Sequence, residues 1–182
     1  MNRDTKGFAS SVVLPSDHAI IALGSNLPGG YISSVALIEG AISTLERSGS
    51  AVLARSSFWR SAAWPEPADP PFVNAIVIAK VTLPPLQLLR SLLAIEAHFG
   101  RRRPVLHAPR TLDLDLVAYG ERIVSNVTLT LPHPRAHERG FVMGPLAELA
   151  PRWRHPVLGR EAWDLAASAS VGQDAAPFAS AR

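Results

Sequence analysis

The stretch Ala108-Pro109-Arg110-Thr111-Leu112-Asp113-Leu114-Asp115-Leu116 carries the reading of this chain. Leu112, Leu114 and Leu116 alternate with two aspartates, the period-2 pattern of a strand with one buried apolar face. Residues two apart on a strand point the same way, so both carboxylates emerge on one side. At a separation of roughly 7 Å two such charges repel by about 2 kcal/mol at an effective dielectric near 20. Folding alone does not select that arrangement, although a solvated strand face would carry the same letters. A hard divalent cation removes the repulsion, and one or two carboxylates plus a phosphate substrate suit Mg²⁺. Arg101, Arg102, Arg103 and Arg110 precede the pair closely and set phosphate-binding cations beside the candidate metal ligands.

Outward from this strand, the chain reads as one compact unit between two loose ends. His18-Ala19-Ile20-Ile21-Ala22-Leu23 predicts a buried strand that stops at the turn signal Gly24-Ser25-Asn26. Val35, Ile38, Ile42 and Leu45 recur at helical spacing, and Gly49 can end that helix. Val52 to Trp59 and Phe72 to Val81 predict two strands, and the proline-rich connection between them suits neither a helix nor a central strand. Pro84-Pro85 opens a second helix whose Leu89, Leu92, Leu93 and Ile95 face inward, with Gly100 as its cap. The aspartate strand follows, and a shorter helix near Pro145 to Leu149 closes the unit. The order β-α-β-β-α-β predicts an α+β, ferredoxin-like sandwich, a mostly antiparallel sheet with helices packed on one face. Residues 1–17 and 166–182 are expected to be poorly ordered extensions of a domain spanning 18–165.

Composition narrows the function classes. The 182 residues suffice for one domain with a real core, and 47% hydrophobic with 18% charged residues describes an ordinary globular protein. The net charge of +3 fits an anionic small ligand, and no Lys/Arg block with interleaved aromatics favours nucleic acid. The absence of cysteine excludes disulfides, thiolate zinc sites and cysteine nucleophiles. No apolar stretch reaches membrane-spanning length and the first residues lack a signal-peptide core, so a cytoplasmic location is expected. The remaining polar groups are ambiguous one by one. Asn74 at a strand start, His133 between prolines and Glu96 before the arginine run each have an ordinary structural reading.

Their order resolves them. Ile21-Ala22-Leu23-Gly24-Ser25-Asn26-Leu27, Ser57-Phe58-Trp59-Arg60-Ser61, Pro71-Phe72-Val73-Asn74-Ala75 and Ile95-Glu96 come first. Gly100-Arg101-Arg102-Arg103, Arg110 to Leu116, Leu131-Pro132-His133 and Arg139-Gly140-Phe141-Val142 follow. Over Ile20 to Pro151 this set closely resembles the hydroxymethyl-dihydropterin pyrophosphokinases of folate biosynthesis.

The resemblance implies transfer of the terminal diphosphate of ATP to the hydroxymethyl oxygen of a reduced pterin, releasing AMP. It implies two Mg²⁺ ions on Asp113 and Asp115, with Arg101, Arg103 and Arg110 joining these aspartates in catalysis. Arg139 and His133 complete the phosphate clamp, Glu96 and Thr130 match positions near the nucleotide, and Leu116 matches an adenine-pocket wall. Phe72 and Phe141 match residues that sandwich the pterin, while Asn74 and the Ser61, Ala62 and Trp64 segment match those that read its edge. The implied partners are ATP and 6-hydroxymethyl-7,8-dihydropterin, without nucleic acid or membrane, and the chain is expected to be a monomer. Ser61-Ala62-Ala63-Trp64-Pro65 stands where the family shows Thr-x-Pro-x-Gly, so one pterin-pocket wall is differently shaped. The Arg103-to-Arg110 loop, which holds His107, is short.

Two other classes make different demands. A ferredoxin-like RNA- or protein-binding module that reads RNA on its sheet needs exposed aromatics on central strands. A kinase moving one phosphoryl group on a phosphate loop needs G-x-x-x-x-G-K-[ST], which is absent.

Overall fold

A computed structural model describes residues 13–100 and 111–179. Among the described residues eight strands and four α-helices follow in order: β1 (His18–Ser25), α1 (Ser34–Arg47), β2 (Ala51–Arg55), β3 (Trp59–Ser61), β4 (Phe72–Lys80) and α2 (Pro85–His98) come first. Next are β5 (Asp113–Tyr119), β6 (Val124–Ser125), β7 (Thr130–Leu131), α3 (Gly140–Leu149), α4 (Ala162–Ala167) and β8 (Ala176–Pro177). The main sheet runs β5-β1-β4-β3-β8, with β2 also paired to β4, and every pairing in it is antiparallel. β6 and β7 form a separate hairpin.

The expected ferredoxin-like β-α-β-β-α-β order is present, and its two helices share one face of the sheet. Leu37, Ile38, Ala41 and Leu45 of α1 and Leu88, Leu92 and Ile95 of α2 pack there against Ile21, Leu23, Ala75 and Val77. Leu88, rather than Leu93, completes the buried stripe of α2, since Leu93 is 40% exposed. Ser33 opens α1 by accepting the Ala36 amide at 3.1 Å. After this unit the chain crosses to the opposite face. Met143 and Leu146 of α3, Leu165 of α4 and Trp153 form a second core there on Ile20, Ile76 and Ile78. Helices therefore cover both faces, because the central strands bury residues of both parities: β4 is buried from Val73 through Ala79.

The single strand expected from Val52 to Trp59 is two. Ser57 explains the break: its amide and hydroxyl donate to Glu148 of α3 at 2.7 and 2.6 Å, and the Trp59 indole donates to the same carboxylate at 2.9 Å. α3 approaches closely enough that a Cβ at Gly144 would lie 2.5 Å from the Trp59 ring.

The ends also depart from expectation. Leu14 is buried, and its amide donates to Glu121 at 3.2 Å. Beyond the expected domain end at 165, β8 extends the sheet beside β3 and the Phe178 amide donates to the Phe58 carbonyl at 3.0 Å. Backbone pairing overrides the Ala/Ser-rich composition of this segment. Among the described residues, no helix is long and apolar enough to cross a membrane.

Candidate active site

On β5 the alternation is as expected. Leu112, Leu114 and Leu116 are buried in the core on the α1/α2 side, and Asp113 and Asp115 point to the other face. Glu96, itself 2% exposed, accepts the amide of Leu114 at 2.7 Å. A buried carboxylate thus anchors the backbone between the two aspartates.

The face onto which Asp113 and Asp115 project is covered by α3 and α4 over most of its length. Beyond the N-terminal end of α3 it opens into a cavity of about 140 Å³. β1 runs through the middle of this floor. Gly24 pairs with Asn74 of β4 on one side and with Asp113 of β5 on the other. Strand spacing puts the backbones of those two residues about 10 Å apart. Gly24 presents hydrogen where any other residue would present a side chain: a Cβ there would meet Asn74 Oδ1 at 3.4 Å and Phe72 at 3.7 Å. The middle of the floor stays open.

Asn74 is buried, and its amide group donates to the Ser61 hydroxyl, itself buried, at 3.1 Å. The rest of this side comes from Phe72, Ala62, Ala63 and Trp64, with Phe141 opposite on α3. Asn26 and Asp69 also line the cavity. Asn26 ties the end of β1 to the proline-rich connection by donating to the Pro70 carbonyl at 3.1 Å.

On the other side, Asp115 Oδ2 lies 3.2 Å from the Arg139 guanidinium and 3.9 Å from His133 Nε2. The Arg135 amide donates to His133 Nδ1 at 3.2 Å, which makes that nitrogen the acceptor and leaves Nε2–H aimed at Asp115. Burial holds the His133 pKa below the usual imidazole value, against the pull of Asp115, and Arg139 adds to the lowering. Arg139 also sits 5.8 Å above the Phe141 ring, linking the two sides. Arg135 reaches the cavity from the same turn and lies 5.4 Å over the Trp64 ring. Among the described residues no three metal-ligating side chains converge. Two carboxylates with further oxygens from a phosphate substrate remain a suitable donor set for Mg²⁺.

The cavity therefore gathers Ser61, Ala62, Trp64, Phe72, Asn74 and Phe141 with Asp113, Asp115 and Arg139. His133 reaches it through Asp115. Leu116 does not line it: its side chain is buried with Leu112 and Leu114 on the α1/α2 side. Glu96 lies behind β5, and Thr130 is exposed on β7. Arg101, Arg103, Arg110 and His107 fall outside the described residues. Sequence reading did not single out Asp69, whose proline-rich surroundings carry no ligand signal, or bring Arg135 into the site.

The sequence profile of the 7,8-dihydro-6-hydroxymethylpterin-pyrophosphokinase family matches residues 20–151. The chain belongs to this family. A relative from Synechocystis sp., named 2-amino-4-hydroxy-6-hydroxymethyldihydropteridine pyrophosphokinase, is 43% identical over 143 residues, or 78% of this chain and 71% of its own length. A relative of the same name from Methylorubrum extorquens is 40% identical over 134 residues, 73% of this chain and 82% of its own. A crystal structure of Plasmodium falciparum HPPK-DHPS with pterin and p-hydroxybenzoate aligns over 82% of this chain with a TM-score of 0.65. At 13% identity that likeness speaks for the fold, and this chain spans 43% of that longer one. The matched span contains every motif quoted above, from Ile21 to Val142.

Proposed function

We infer that this cavity is where the family's reaction takes place, and that its two sides serve the two substrates. The chain transfers a pyrophosphoryl group from ATP to the hydroxymethyl group of 6-hydroxymethyl-7,8-dihydropterin in folate biosynthesis. The observation that carries the assignment of sides is the pairing of Gly24 with Asn74 and Asp113 across one cavity floor.

On the Asn74 side, a flat heteroaromatic ring has Phe72 and Phe141 to lie against and a buried amide to match its donors and acceptors. Ser61 fixes the Asn74 orientation, so the pterin edge meets a preset acceptor and donor. An analogue lacking those edge groups leaves the amide unpaired, at about 1–3 kcal/mol.

On the other side the residues suit a polyphosphate. Asp113 and Asp115 would hold Mg²⁺, which when bound neutralises charge on the phosphate oxygens. Arg139 now rests on Asp115 and is placed to turn to a phosphate oxygen. His133, whose Nδ1 accepts the Arg135 amide, carries Nε2–H on the Asp115 side, where it is placed to donate a hydrogen bond. The N-terminal end of α3, at Arg139 to Val142, adds a favourable field for anions. The nucleotide would extend past β5 toward Thr130, and the resemblance assigns Arg101, Arg103 and Arg110 to its phosphates. Attack of the hydroxymethyl oxygen at the β-phosphorus then gives the pterin diphosphate and AMP, with positioning and charge stabilisation as the main catalytic terms.

Phosphorus NMR of the reaction mixture tests this. AMP and pterin diphosphate should form in equal amounts and only with a divalent cation present. ADP with a pterin monophosphate would exclude the mechanism.

A further inference from the structure

The family match ends at residue 151, yet a segment some twenty residues beyond it lies against the cavity from two directions. Val171 forms a parallel bridge with Arg139, and its carbonyl accepts the Gly140 amide at 2.7 Å. The Ser170 and Val171 amides both donate to the Glu138 carbonyl, at 3.0 and 2.9 Å. The next residue, Gly172, has φ +66°, and a Cβ there would run into the Phe141 ring. Two residues later the Asp174 carboxylate accepts the amide of Ala62. The segment then enters β8 and pairs with Trp59 and Arg60 of β3.

Phe141 and Ala62 stand on different elements, α3 and the connection after β3, and both line the cavity. The path from Gly172 to Asp174 joins their two supports. Two residues of chain span at most about 7 Å, so this link has a fixed and short reach. Resting on the reading of the cavity as the pterin site, we propose that Gly172 and Asp174 are positioning residues for that site. Gly172 sets how far Phe141 may tilt away from the pterin face, and Asp174 holds the Ala62 backbone at the opposite wall. A segment serving only to tie down the chain would not need its one left-handed glycine against the stacking ring and its carboxylate on a cavity-lining amide.

The test uses the full chain with calorimetric titration of 6-hydroxymethylpterin, nucleotide titration and thermal unfolding. Gly172→Ala presses a methyl group onto Phe141 and should weaken pterin binding about tenfold or more. Asp174→Ala should weaken it about three- to tenfold, whereas Asp174→Asn, which keeps an acceptor oxygen, should stay within about twofold of the parent. Nucleotide affinity should change by less than about twofold throughout. Asp174→Ala lies on an exposed side chain and decides the matter where Gly172→Ala does not fold. Parent-like pterin affinity in Asp174→Ala, or equal loss of both substrates in step with lost stability, overturns the proposal. Asn74→Ala run alongside separates the two readings. If it loses pterin while Asp174→Ala does not, only the positioning role falls. If Asn74→Ala also binds normally, the pterin assignment of the cavity falls with it.

Discussion

Asp115 has two demands on it, one from Arg139 and one from a cation that Mg²⁺-dependent chemistry would bring. Substituting Asp115→Asn keeps the shape and removes the charge. At the observed 3.2 Å the ion pair is worth about 5 kcal/mol by Coulomb's law at an effective dielectric of 20. Asp115 is 32% exposed and Arg139 21%, so solvent screens the pair and desolvation offsets part of it. A net contribution of about 1–2 kcal/mol follows. Asp115→Asn should therefore lower unfolding free energy by that amount, and Arg139→Gln should cost little more once Asp115 is already neutral. The double-mutant cycle in urea should give a coupling of about 1–2 kcal/mol. Activity should respond on a different scale: AMP formation at saturating Mg²⁺ should fall at least about 100-fold in Asp115→Asn, close to 3 kcal/mol on the barrier. A coupling near zero would refute the ion pair as a stabilising contact. Near-parental turnover in Asp115→Asn would refute its role toward the metal.

Two further outcomes concern the rear core. His155 is 5% exposed, and burial beside His137 depresses its pKa from 6.5 to about 4. Its stabilising contribution is complete above pH 6.5, declines as pH falls toward 4 and levels off below, by at most about 3 kcal/mol. His155→Gln should flatten the pH dependence of urea unfolding between pH 7.5 and 4.5, and an unchanged slope would count against this. Gly144→Ala drives a methyl into the Trp59 ring and strains its indole bond to Glu148. It should cost about 1–3 kcal/mol in denaturant unfolding, and a neutral result would mean α3 shifts freely.

What the sequence revealed follows from the range of the forces involved. The Asp113 and Asp115 strand was legible because period-2 burial is written in adjacent letters. The helices of the first face were legible for the same reason at period 3.6, although choosing Leu88 over Leu93 required knowing where the sheet lies. Asn74 gave no signal of its own and was found only through the order of motifs. The resemblance sets Glu96 near the nucleotide, whereas its carboxylate reaches a backbone amide eighteen residues on. The tail shows the limit most clearly. Its pairing with β3 and its contact with Phe141 depend on backbone groups and on a glycine, neither of which alters composition.

The floor of the cavity behaves as a ruler. Three antiparallel strands hold Asn74 and Asp113 on either side of Gly24 through hydrogen bonds that cannot stretch by an ångström without breaking. Side chains at the rim can turn, but the distance from the Asn74 amide to the aspartates is graduated in strands. With the pterin on the Asn74 side, as proposed, molecules that differ in the length of the arm between ring and hydroxyl would be measured by the sheet itself. Discrimination on that dimension belongs to the fold and not to any one residue that a single substitution could relax.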